Sequence, residues 1–153
     1  MHRFSRREML ATVSMFVFAA SRGRGQQPTK VEVYKDPNCG CCAIWVTHLQ
    51  RAGFATTVTN VQSIETVKIK YRVPARLQSC HTAVVGGYVI EGHVPASEIR
   101  RLLTERPKVI GLAVPGMPIG SPGMEGSGGK PYDVVSFDTA GNTRVYSTQK
   151  PSV

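Results

Sequence analysis

A chain of 153 residues accommodates one domain with a tail. An apolar fraction of 41% with only 7% aromatic residues describes a soluble globular protein and excludes a disordered or membrane-embedded one. The formal net charge of +9 is misleading, because five arginines and one glutamate fall within residues 1–26; the remainder carries 14 basic and 9 acidic residues, a net of +5. Lys68, Lys70, Arg72 and Arg76 cluster, as do Arg100, Arg101, Arg106 and Lys108, on segments where a solvated helix face explains them. Neither set is interleaved with stacking aromatics, so no nucleic-acid partner is expected.

Residues 1–26 read as an export signal. Arg3, Arg6 and Arg7 precede an apolar run from Met9 to Ala20, followed by small and polar residues. Ser5-Arg6-Arg7-Glu8-Met9-Leu10 resembles the twin-arginine motif, which implies a periplasmic destination reached already folded or metal-loaded. A short uncleaved basic anchor is the alternative. No run approaches the roughly 18 apolar residues of a bilayer span, so no stable transmembrane segment is expected once the signal is removed.

Along the mature chain, Val31-Glu32-Val33-Tyr34 alternates like a first strand, and Asp36-Pro37-Asn38 breaks it. Ile44, Trp45, Leu49 and Ala52 then recur at helical spacing until Gly53 stops the run. Residues 56–61 read as a strand. Residues 64–71 read as a short helix, ended by Val73-Pro74. Residues 82–85 and 88–91 flank Gly86-Gly87 as a hairpin, and residues 95–107 form a helix with Ile99, Leu102 and Leu103 on one side. The order β-α-β-α-β-β-α over residues 30–112 predicts a thioredoxin-like α/β sandwich with the hairpin at its far edge. Residues 113–132 read as a Gly/Pro/Met loop and residues 133–147 as a C-terminal β-hairpin packed on the same domain.

The chemistry concentrates in Cys39-Gly40-Cys41-Cys42, on the predicted strand-to-helix turn. A helix N-terminus stabilises thiolate, the form in which cysteine acts as ligand or nucleophile. Cys39 and Cys42 form a C-x-x-C, so a dithiol exchanging disulfides is one reading; Cys41 beside them would scramble such a disulfide. Soft-metal binding is the other. Cys80, just ahead of the third strand, can converge on the turn together with His81. Thiolate, thioether and imidazole select copper(I), zinc or iron–sulfur clusters. The three-plus-one cysteine split departs from the paired units of ordinary zinc sites. Met117 and Met124 on the loop are candidate additional thioether ligands, or plugs that close the loop onto the domain. His93 is a turn residue, a supporting group or a further ligand. His48 lies about 9 Å of helical rise from Cys42, too far for the same ion. Trp45 reads as core. Thioredoxin-like oxidoreductases place a cis-proline just before the third strand. Here Ser79-Cys80-His81-Thr82 stands in that place, and Pro74 comes too early.

Three separated motifs, CGCCAIWVTHLQRAGF, VPARLQSCHTAVVGGYVIEGHVPASEIRRLL and GLAVPGMPIGSPGME, together resemble the CopG-like family of bacterial metal-binding proteins, long catalogued as a domain of unknown function. The likeness runs from about Lys30 to Tyr146. It implies a thioredoxin-like fold and a periplasmic role in copper handling, often alongside other copper-resistance proteins. The family's cysteine motif falls on Cys39, Cys41 and Cys42, and its Cys-His pair on Cys80 and His81. The resulting expectation is a periplasmic protein that holds copper(I) through these residues, in storage, in transfer or in oxidation-state change, the last making it a copper oxidoreductase. A thiol-disulfide oxidoreductase using Cys39 and Cys42, and a structural zinc domain, are the alternatives.

Overall fold

The computed structural model describes residues 27–152, so residues 1–26, expected from the sequence to be an export signal, lie outside the described residues. Alternation builds the first strand: β1 (Lys30–Lys35) turns Val31 and Val33 fully into the core, and the odd-numbered side chains share that face. The chain then runs through α1 (Gly40–Arg51) and returns as β2 (Ala55–Asn60), parallel to β1. Gly53, at φ +86°, supplies the left-handed residue that ends α1 and frees the chain to re-enter the sheet.

After α2 (Ile64–Lys70) and a short 3-10 turn (Ala75–Leu77), β3 (His81–Val85) lies antiparallel on the other side of β1. It pairs through Gly86-Gly87 with β4 (Tyr88–Gly92). Both turn glycines have positive φ, as a two-residue hairpin turn of this kind demands. Beyond α3 (Ala96–Glu105) come β5 (Gly111–Val114), β6 (Tyr132–Phe137) and β7 (Thr143–Gln149). One seven-stranded sheet results, in the order β2-β1-β3-β4-β5-β6-β7.

Three sequence-based expectations change here. The β3–β4 hairpin is not an edge, because β5 pairs parallel with β4 and carries β6 and β7. The loop accordingly loses Ala113 and Val114 to β5, and Tyr132 to β6. Gly111-Leu-Ala-Val114 is too short to show a period, and its strand identity comes from pairing. A Cβ on Gly111 would lie 1.8 Å from the Val89 carbonyl oxygen, so only glycine permits that approach. Lys68, read as part of a solvated face, is 3% exposed and pairs with the fully buried Glu91.

The sheet separates two cores. On one face, Trp45 and Leu49 of α1 and Ile99 and Leu102 of α3 pack over Val33, Ile90 and Leu112. On the other, Val73, Leu77, Val89, Ala113 and Phe137 form a smaller cluster. Val89 and Ile90, neighbours on β4, belong to opposite cores, as strand pleating requires. Each large apolar side chain fully buried in this way contributes roughly 1.5–3 kcal/mol. α1 is therefore anchored by the face opposite its exposed Ile44, with its N-terminus and cysteines held at the ends of β1 and β3.

Candidate metal centre

At the end of β1 the chain reverses in a tight turn. Asp36 accepts the Asn38 N–H on its side chain at 2.7 Å and the Cys39 N–H on its carbonyl at 3.1 Å. Cys39 is the N-cap of α1 with extended backbone, which puts Cys41 and Cys42 in the first helical turn. Cys39 and Cys42 are joined as a disulfide, while Cys41 and Cys80 are free thiols. Cys80 arrives for a topological reason: β3 runs antiparallel to β1, with His81 opposite Lys35, so the start of β3 sits where β1 ends. The Cys41 sulfur lies 3.6 Å from that of Cys39 and 3.9 Å from that of Cys80. All four sulfurs fall within 4.8 Å of one another.

A second grouping shares Cys80. Its Sγ is 3.4 Å from His81 Nδ1 and 3.4 Å from His93 Nε2, because the end of β4 lies beside the start of β3. Cys80, His81 and His93 also converge within 4.8 Å. Trp45 packs its ring 4.3 Å from that of His81 and donates its Nε1–H to the Val94 carbonyl at 2.9 Å. The core reading of Trp45 is correct, and the residue is also a wall of the site. His48 accepts the Ala96 N–H on Nε2 at 3.1 Å, capping α3 rather than joining the sulfurs.

The loop after β5 closes over this corner. Gly123 stands at φ +98°, and a Cβ there would lie 2.7 Å from the Cys41 carbonyl oxygen, so the loop touches the first turn of α1 through bare backbone. Ser121, fully buried, donates its hydroxyl to the Pro118 carbonyl at 2.7 Å and lies 3.2 Å from His93 Nδ1. With its proton committed to Pro118, the hydroxyl accepts from His93 Nδ1–H. The Nε2 lone pair is thereby left facing Cys80. Met124, half-buried, follows Gly123 directly, and Met117 lies half-buried earlier on the same loop. Nothing in the spacing around Ser121 signals its role.

Electrostatics suit the histidines to ligation. Burial, reinforced by neighbouring His93 and Lys68, pulls His81 down to about 3. Burial pulls His93 down to about 4 against the attraction of Glu125. Both imidazoles are neutral at pH 7, the form that binds metal. The buried His81 Nε2 has no hydrogen-bond partner among the described residues, an orphaned polar atom at the site. Burial, and next the adjacent Cys41, push the Cys80 thiol up to about 11, so it must surrender a proton to become a ligand. In reduced, metal-free protein, alkylation of Cys80 followed by mass spectrometry should accelerate about tenfold per pH unit between roughly pH 7 and 10, since only thiolate reacts. A pH-independent rate would contradict this placement.

The donor set fits a soft ion. Thiolates about one tetrahedral ion at roughly 2.3 Å would stand about 3.8 Å apart, near the Cys41 distances. Cys39 and Cys42 meet that condition only after reduction, because a disulfide sulfur is not a thiolate.

The model of a family described as a protein of unknown function, DUF411, matches residues 77–124, the stretch carrying Cys80, His81, His93 and the first part of the loop, to Met124. No curated protein matches the chain. Two solved structures, titled copper resistance protein copG, form 1 and form 2, are each 42% identical to it with a TM-score of 0.75. Each comparison covers 80% of this chain and 98% of the solved one. With that identity over nearly the whole of the solved chains, and with a cysteine cluster able to hold metal at the corner described above, the chain belongs to the CopG-like family.

Proposed function

We propose that the protein is an exported periplasmic copper-handling protein with a thioredoxin-like fold, holding copper(I) through Cys39, Cys41, Cys42 and Cys80, with His81 and His93 assisting. The observation that carries this reading is the convergence of four cysteine sulfurs beside two buried neutral imidazoles. Thiolate sulfur favours copper(I), and imidazole tolerates copper(II), so a site with both can accommodate a change of oxidation state. The titles of the two solved relatives, which name copper resistance, support copper over zinc. Met117 and Met124, half-buried on the loop whose Gly123 touches the first turn of α1, would serve as additional thioether donors. In this reading residues 1–26 direct export, and segments 30–112, 113–132 and 133–147 act as one unit around the metal.

A second reading, a periplasmic thiol-disulfide oxidoreductase, draws its support from the Cys39–Cys42 disulfide. The two separate in one pair of assays. Reduced protein titrated anaerobically with copper(I) and then desalted should retain copper while reducing insulin disulfides negligibly. Copper lost on desalting, with rapid insulin reduction, would replace the metal reading by the dithiol one. Retained zinc that copper cannot displace would favour a structural zinc site.

A further inference from the structure

Behind the cysteine corner, on the opposite face of the sheet, lies a polar cluster that the copper reading does not use. Glu91 sits opposite Thr82 in the β3–β4 ladder, and both are fully buried. Glu91 Oε1 accepts the Ser79 backbone N–H and the Lys68 ammonium, each at 2.5 Å. Its Oε2 accepts the Thr82 hydroxyl at 2.7 Å, and Lys68 also donates to Thr82 Oγ1 at 3.1 Å. Ser79 and Thr82 are the residues on either side of Cys80-His81. One carboxylate therefore grips the backbone before the pair and the side chain after it.

The two residues that follow continue the arrangement. Gly92 holds φ +69°, and a Cβ there would lie 2.7 Å from Ser79 Oγ, so Ser79 rests against the end of β4 only because that position is bare. His93 then directs Nε2 at Cys80. Ser79 lies outside the strand ladder, between the 3-10 turn and β3, so its N–H finds its partner in Glu91 rather than in a neighbouring strand. A buried ion pair is a poor device for stability alone, because desolvation offsets most of its attraction and well-packed apolar residues often do as well. What it adds over an apolar pair is direction.

We propose that the Lys68–Glu91 pair is a positioning device: by fixing Ser79 and Thr82 it sets the Cys80 sulfur and the His81 ring at their distances from Cys41 and His93. Its purpose rests on the copper reading, but its geometry can be tested without metal.

In a full-length Cys39→Ser/Cys42→Ser background only Cys41 and Cys80 remain, with sulfurs 3.9 Å apart. Diamide, taking up two electrons and two protons, converts these two thiols to a disulfide, and the rate of that conversion reports how well Cys80 is presented. Adding Lys68→Met/Glu91→Leu should leave the thermal midpoint near the parent's but slow crosslinking at least about tenfold. With all four cysteines restored, the same double change should weaken copper(I) binding, measured against bicinchoninate, by about 10–100-fold, the range for outer partners of metal ligands. Phe137→Leu in the same core layer, a stability control, should lower the midpoint without slowing crosslinking. A folded double variant that crosslinks and binds copper like its parent overturns the proposal. If the parent holds no copper, the copper reading fails and crosslinking alone decides. If the double variant does not fold, Thr82→Val, which removes one anchor and leaves the ion pair, must slow crosslinking; a parental rate there overturns the proposal equally.

Discussion

Cys80→Ser should weaken copper(I) binding by the reduced protein more than any other single substitution, by more than about 100-fold, exceeding the loss from an outer partner. Cys80 is the residue common to both groupings. Its sulfur is 3.9 Å from Cys41 and 3.4 Å from each imidazole, so its removal separates the helix cysteines from the histidines. Serine keeps the shape but offers a hard, neutral oxygen that soft copper(I) disfavours. Cys39→Ser removes one of three sulfurs on the turn and leaves the junction intact, so its effect should be large but smaller. Competition titrations with a copper(I) chelator on both variants measure the difference. Equal, minor losses would mean that metal does not bridge the turn and β3.

Trp45→Ala should destabilise the protein by about 3–5 kcal/mol, as expected for deleting a large buried aromatic. Trp45 is fully buried, spans from α1 to the Val94 carbonyl through its indole N–H, and covers His81. The substitution therefore opens a cavity, strands an acceptor and frees the His81 ring together. Urea unfolding of the reduced, metal-free protein gives the energy from the shift in midpoint at unchanged slope. A loss below about 1 kcal/mol, typical of an ordinary substitution, would show that α1 is held chiefly from elsewhere.

Much of the site was legible because its logic is topological. An alternating strand, a Cys-rich turn and a helix stopped by Gly53 place the turn at one end of β1. An antiparallel β3 that starts with Cys80-His81 must begin at that same end. His93 was legible as a neighbour, since β4 ends where β3 starts, but its role waited on Ser121, whose hydroxyl sets the ring tautomer from 28 residues away. The missing pieces depend on contacts that carry no periodic signal. β5 is four residues with no period, created by pairing with β4 across a glycine that admits the Val89 carbonyl. Lys68 looks like any basic residue on a short helix, and only the third dimension supplies Glu91. The state of the CGCC cysteines is likewise not written in their spacing, which suits both the Cys39–Cys42 disulfide and a set of thiolates.

A soft metal held among the sulfurs has a direct signature. X-ray absorption at the copper edge, on reduced protein loaded anaerobically with copper(I), should give a first shell dominated by sulfur with a minor nitrogen contribution, and Cys80→Ser should deplete the sulfur. A shell of nitrogen and oxygen alone, unchanged by that substitution, would contradict copper binding at Cys39, Cys41, Cys42 and Cys80.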